Sequence, residues 1–262
     1  MVAGVAYSWN NSTTRVIQKW KGKHPREVNF KVPTILSYKN GDLNGGGQLQ
    51  HWGFECDLGH PHIAWFKRYL DPVVLSNFER KLPGQAYKPQ AISRFYVDFL
   101  TGLYDWIKHT ITTSTNSKRS NFRNAKVEFL FSLPSTINSP QTAEKFREYM
   151  HQAGFAGGGI YHTAELGLTE PEAAAVEAVT NSDESFEAGE ILIVVDAGGG
   201  TTDVSVSLNW KGTSHNLDLE NFFTSGVLTS GPPTSTKPSA FWPAGRFAAV
   251  DSRLKTAVGK WP

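Results

Sequence analysis

Cysteine is almost absent: Cys56 is the single one in 262 residues. An intramolecular disulfide is therefore impossible, and a reducing compartment is the simplest home. An excess of either charge is also missing. The 26 Lys and Arg nearly balance 24 Asp and Glu, leaving a net +2, which argues against a dedicated nucleic-acid surface. No apolar run reaches the length of a membrane span. The start, Met1 to Asn10, lacks the basic residues and long apolar core of a secretory signal. The expectation is a cytoplasmic protein that engages neither nucleic acid nor membrane. Hydrophobic residues at 39% and charged residues at 19% suit a globular body, long enough for one large domain or two small ones.

What is present centres on Ile191-Leu192-Ile193-Val194-Val195-Asp196-Ala197-Gly198-Gly199-Gly200-Thr201-Thr202-Asp203-Val204-Ser205-Val206. An apolar strand ends in an aspartate, three glycines turn the chain, and a second aspartate opens an alternating strand. Glycines let backbone approach a ligand closely. Successive free N–H groups in such a turn form a concavity that suits phosphate oxygens. Flanking aspartates can hold a hydrated metal ion or orient a water. A plain glycine-rich β-hairpin accounts for the same turn, but it does not require an Asp at both strand ends. The segment is no Walker loop, because no Lys-Ser or Lys-Thr follows the glycines. It is no Rossmann fingerprint, because the residues after the turn alternate as a strand does.

Elsewhere the patterning predicts an opening antiparallel meander with one buried face. Its strands are Val2 to Ser8, Thr14 to Trp20, Val32 to Tyr38 and Gln48 to Phe54. Pro72 to Leu82 is weakly helical. Lys88 to Thr110 is strongly so, with Ile92, Phe95, Tyr96, Phe99, Leu103, Trp106 and Ile107 on one stripe. Thr112 to Asn124 is polar, and its Lys118, Arg119 and Arg123 read as parts of a solvated connection. Lys126 to Leu133 is a strand. Ser139 is an N-cap with Pro140 at the first helical position, and that helix runs to about Gln152. Gly157-Gly158-Gly159 is a turn with no ligand role. Ile160 to Glu165 is a short strand, and Thr169 caps the helix that follows. Ser225 to Pro243 is rich in Ser, Thr, Pro and Gly, so low order is expected from about Gly226 onward, with Ala248 to Val258 as a candidate helix. His51, His60 and His62 match no standard metal spacing.

Four segments in one order carry a resemblance: Gly4-Val5-Ala6-Tyr7-Ser8-Trp9, the run Val127 to Phe146, Thr169-Glu170-Pro171-Glu172-Ala173-Ala174-Ala175, and Asp196 to Asp203. Together they resemble the nucleotide-binding half of the seventy-kilodalton heat-shock chaperones, most closely the divergent branch without a standard peptide-binding domain. The resemblance covers roughly residues 4–210. It implies an α/β chain with the actin-like ATPase (ribonuclease-H-like) fold. The first lobe would span 1–186, with an inserted subdomain at about 39–122. The second lobe would open at 187–225, and 226–262 would be a tail.

The resemblance also implies ATP and Mg as cofactors, hydrolysis of ATP to ADP, and unfolded protein or co-chaperones as partners. Asp196 matches the aspartate near the hydrated magnesium, and Asp203 the one near metal and nucleophile. Gly198, Gly199 and Gly200 match the second phosphate loop, with Thr201 and Thr202 beside them. Thr201 would donate its hydroxyl to the γ-phosphate or the attacking water. Glu170 matches the glutamate that faces this water from the other lobe. Lys67, in Trp65-Phe66-Lys67-Arg68, falls where the family carries a catalytic lysine. Plainer readings stand beside these: Glu170-Pro171 as a simple helix start, and Lys67 as a surface lysine.

Family members carry an earlier Asp-Phe-Gly-Thr-Thr phosphate loop, where this sequence has Met1-Val2-Ala3. The glycine-rich segment that grips adenosine has no counterpart after Asp203. Each missing charge-assisted hydrogen bond is worth about 1.5–3 kcal/mol, so the expectation is weak or undetectable ATP binding and weak or no ATPase activity by this chain alone. Two other readings remain: a non-enzymatic interaction module derived from the fold, and a small-molecule kinase of the same superfamily.

Overall fold

A computed structural model of the chain describes residues 2–9, 13–42, 46–70, 72–81, 87–114, 122–133, 139–180, 188–197, 202–209, 219–226 and 254–256. The elements in chain order begin with β1 (Val2–Gly4), β2 (Ala6–Tyr7), β3 (Arg15–Val16), β4 (Lys31–Pro33), β5 (Ile35–Tyr38), β6 (Leu49–Trp52) and β7 (Ile63–Ala64). The helices α1 (Pro72–Lys81) and α2 (Pro89–Ser114) follow, then β8 (Val127–Leu133), α3 (Pro140–Gln152), β9 (His162–Thr169) and α4 (Glu170–Thr180). The last strands are β10 (Ile191–Ala197), β11 (Thr202–Asn209), β12 (Leu219–Gly226) and β13 (Leu254–Thr256). The chain is a mixed α/β protein of small sheets and helices, divided into two compact units. One comprises 1–130 and 137–166, the other 131–136 and 167–262. Glu170 and the strands β10 and β11 fall in the same unit.

In the first unit the apolar stripe of α2 makes the core. Ile92, Phe95, Tyr96, Phe99, Leu103 and Ile107 are all buried. Leu100 and Tyr104 widen the buried face beyond the stripe legible in the sequence. Trp106 sits at its margin and donates its indole N–H to the Lys19 carbonyl at 2.9 Å. The helix packs against β5, β6 and α3. Phe66 inserts among Phe95, Tyr96 and Phe99, with ring centroids 5.5–6.2 Å away.

The opening strands do not form one meander. They fall into three small sheets: β1 with β4, β2 with β3, and β6–β5–β7. Alternation marks which residues are extended but carries no information on partners, and β4 is claimed by β1 rather than by its neighbours in sequence. The polar connection after α2 also differs from expectation. It contains a 3-10 turn, Phe122–Asn124, whose Phe122 is buried against Tyr104 and His162. Lys118 and Arg119 lie outside the described residues.

The β8–α3–β9 segment follows its local signals. Ser139 caps α3 by accepting from the Thr142 N–H at 3.1 Å, and Pro140 occupies the first turn. Beyond the helix Gly154 takes φ +98°, a conformation that a glycine enters without steric cost. The Val127 N–H donates to the Tyr161 carbonyl where the paired strands β8 and β9 begin.

The second unit holds a four-stranded sheet in the order β12–β11–β10–β13. β11 is antiparallel to both neighbours, and β13 runs parallel to β10. The described part of the C-terminal region is thus a strand, where the sequence suggests a helix over Ala248 to Val258 and low order generally. No helix cap is legible there, and β10 offers Leu254–Thr256 backbone partners that an isolated helix turn does not have.

Candidate functional site

The glycine hairpin is built as its residues dictate. Ile191 to Val195 is a run of β-branched and aliphatic side chains, the composition that suits a pleated, half-buried surface. β10 and β11 pair in an unbroken antiparallel register from Ile191 with Leu208 to Ala197 with Thr202. Asp196 and Asp203 are directly opposite one another. Gly198, Gly199, Gly200 and Thr201, expected as a turn, lie outside the described residues.

Pleat alternation assigns the acidic pair to a face. Positions 192, 194 and 196 of β10 share a side with 203 and 205 of β11. On that side Leu192, Val194 and Ser205 are buried, while Val195 on the other side is 41% exposed. The two aspartate positions therefore end the covered face of the ladder. Like charges directly opposite on neighbouring strands destabilise a sheet. A cation between them reverses that penalty. Magnesium is held through one or two carboxylates while keeping several waters, so a cross-strand pair of aspartates is a sufficient protein donor set for it. Among the described residues no group of three or more His, Cys, Asp or Glu is gathered for direct metal ligation.

Helix α4 packs against both β10 and β11. Its start is a capping box. The Thr169 N–H and hydroxyl donate to Glu172 Oε2 at 2.7 and 2.8 Å, and the Glu172 N–H donates back to Thr169 Oγ1 at 3.3 Å. Glu170 opens α4 and with Glu172 places acidic side chains in its first turn, as the helix-start reading expects. Glu170 is half-buried at the first helical position, in the same unit as the hairpin. Thr169→Ala is expected to destabilise this unit by about 1 kcal/mol, read as a lower urea midpoint with an unchanged slope.

Lys67 belongs to the first unit. It lies in the 3-10 turn Phe66–Leu70, half-buried, and its carbonyl accepts from the Tyr96 hydroxyl at 2.9 Å. The preceding Trp65 adopts φ +64°, a left-handed conformation that costs a bulky side chain about 1–3 kcal/mol. Phe66, Tyr69 and Leu70 of the turn that follows are buried.

Two of the three histidines meet protein groups through Nδ1. His60 Nδ1 meets the Asp57 carboxylate at 2.9 Å, and His62 Nδ1 meets the His60 carbonyl at 2.9 Å. The Gly59 N–H and His60 together hold the Asp57 carboxyl below the usual range. Burial pushes the Cys56 thiol up, against a hydrogen bond with Ser37.

One polar network escaped the sequence reading. The Tyr38 hydroxyl donates to Asp98 Oδ2 at 2.7 Å, and the Arg94 guanidinium meets the same oxygen at 3.3 Å. Arg94 also donates to the Gly47 carbonyl at 2.7 Å, while the Gly47 N–H donates to Asp42. Burial and the Asp98 carboxylate push the Tyr38 phenol far up, so it stays a donor. The four-residue spacing of Arg94 and Asp98 on α2 was the available signal.

No helix among the described residues is long and apolar enough to cross a membrane. A comparison of the chain with protein-family models finds no match.

Proposed function

We propose that the chain binds ATP in the manner of the heat-shock chaperones it resembles, on an actin-like ATPase framework. The β10–β11 turn would receive the terminal phosphates. The observation that carries this reading is the register of Asp196 against Asp203 across a turn containing three glycines. Asp196 and Asp203 would hold a hydrated magnesium ion through its waters. The amides of Gly198 to Gly200 and the hydroxyls of Thr201 and Thr202 would surround phosphate oxygens. Glu170, on the helix packed against the hairpin, would accept a hydrogen bond from the attacking water and align it. The same resemblance assigns Lys67 a catalytic role. A cytoplasmic chaperone role, with unfolded protein or co-chaperones as partners, follows from the same resemblance.

The test is a thermal-unfolding and calorimetric titration with ATP, with and without magnesium. Weak binding that requires magnesium is expected. Asp196→Asn or Asp203→Asn should lower the affinity at least about tenfold, since each removes one of two charge-assisted contacts. Without magnesium each variant should instead be more stable than the unaltered chain, by about 0.2–1 kcal/mol, because a like-charge cross-strand pair is gone. Binding that ignores magnesium and survives both substitutions would remove the basis of the reading.

A further inference from the structure

We propose that the basic segment from Arg15 to Lys31 is a docking surface for an anionic lipid bilayer, which the protein meets from one side without crossing it.

The near balance of charge over the whole chain conceals a local surplus. Arg15, Lys19, Lys21, Lys23, Arg26 and Lys31 are six of the 26 Lys and Arg, and Glu27 is the one acid among them out of 24. The rest of the chain is therefore net acidic. Two of the six are paired: Lys21 meets Glu55 at 3.1 Å and Lys23 meets Glu27 at 2.9 Å. Arg15, Lys19 and Arg26 are exposed and meet no carboxylate among the described residues. A cluster of this size is what draws a protein to an anionic leaflet.

The segment is held in place. Trp20 is buried and donates its indole N–H to the Asn29 carbonyl at 2.7 Å. The Asn29 N–H donates to the Gln18 carbonyl at 3.0 Å, and Lys19 Nζ to the Glu27 carbonyl at 3.0 Å. Gly22, at φ +83°, lets the turn lie against the backbone of Phe54 and Glu55, where a β-carbon would come within 2.7 Å. The His24 ring accepts from the Arg26 N–H at 3.2 Å. The cations are displayed on an ordered frame, so binding has little chain to order.

The side chains between the cations select the partner. Val16, Val28 and Phe30 are exposed apolar residues interleaved with Arg15, Arg26 and Lys31. Aliphatic side chains gain nothing from a nucleic-acid phosphate backbone, but they reach the acyl boundary beneath lipid headgroups. An acidic peptide that adds as a strand needs unpaired backbone. Here Arg15 and Val16 already pair with Tyr7 and Ala6, Gln18 with Asn29, and Lys31 with Gly4. Cationic heads and shallow apolar side chains that ask for no directional partner fit a fluid layer of acidic headgroups. The inference does not depend on nucleotide binding.

Co-sedimentation of the full chain with lipid vesicles tests it. Phosphatidylcholine vesicles containing phosphatidylserine should capture the chain, pure phosphatidylcholine should not, and added salt should release it. Lys19→Glu with Arg26→Glu should weaken capture at least about twentyfold, since each cation near the surface is worth about fivefold. Val28→Ser with Phe30→Ser keeps every charge and should weaken capture about fivefold. All four positions are exposed, and the lipid and salt comparisons use the unaltered chain, so they stand whatever the variants do. Free phosphoserine should not compete, because a lone headgroup offers neither a charged layer nor an acyl boundary. The proposal fails if either double variant binds as the unaltered chain does, if pure phosphatidylcholine captures equally, or if phosphoserine competes. It also fails if polyglutamate or duplex DNA binds more tightly than the phosphatidylserine vesicles, since the segment then serves an acidic polypeptide or a nucleic acid.

Discussion

Phe66→Ala should cost the first compact unit about 3–5 kcal/mol, a large part of the stability available to a domain of this size. The ring is 1% exposed and touches three aromatic side chains of α2. The alanine leaves a cavity at the centre of the core, which close-packed neighbours fill only in part. It also removes one of three buried anchors of the 3-10 turn that carries Lys67, the others being Tyr69 and Leu70. Urea unfolding followed by near-ultraviolet circular dichroism measures the loss. Phe66→Leu should cost less than about 1.5 kcal/mol, since it keeps most of the volume. Phe30, 38% exposed, is the comparison, and its alanine variant should cost under about 1 kcal/mol. Equal effects at Phe66 and Phe30 would refute this account of the core.

Gly158→Ala is the second large effect, expected at about 3 kcal/mol. A β-carbon at this position would lie 1.8 Å from the Tyr104 hydroxyl oxygen, 2.6 Å from Tyr104 Cζ and 2.7 Å from the Gly154 carbonyl oxygen. The Tyr104 ring has nowhere to retreat, because Phe122, Phe129 and Phe155 surround it with centroids 5.1–6.3 Å away. Among the described residues the same hydroxyl is buried without a hydrogen-bond partner. Tyr104→Phe alone should therefore be neutral or stabilise by up to about 1 kcal/mol, because an unpaired buried polar group is removed. In the double variant part of the Gly158→Ala cost should disappear. The coupling energy from the cycle measures how much of the clash belongs to the oxygen.

Gly157-Gly158-Gly159 shows where sequence reasoning stops. The composition indicates a turn, and residues 153–160 form turns and bends. It contains no hint that Gly158 clears the Tyr104 hydroxyl or that a side chain on Gly159 would strike the His162 ring at 2.4 Å. Those neighbours arrive from α2 and β9 only when the unit closes. The helices were legible because their signals are local. The α2 stripe, the Ser139 cap with Pro140 and the Thr169 cap all act within a few residues, and each is found where its pattern indicates. The opening strands were legible as extended segments but not as a sheet, since pairing joins residues far apart and several pairings suit the same alternation.

The candidate site divides along the same line. Two aspartates around three glycines are written in the chain, and the strands on either side follow from their residue types. By itself the sequence determined helix periods, caps, extended runs and the chemistry the turn can offer, because each depends on neighbours a few bonds away. Only the tertiary structure decided that positions 196 and 203 are register partners, that α4 lies against β10 and β11, and that Leu254–Thr256 pairs with Ile191–Ile193. These arrangements are set by burial and backbone pairing between distant segments, and no local pattern encodes which segments meet.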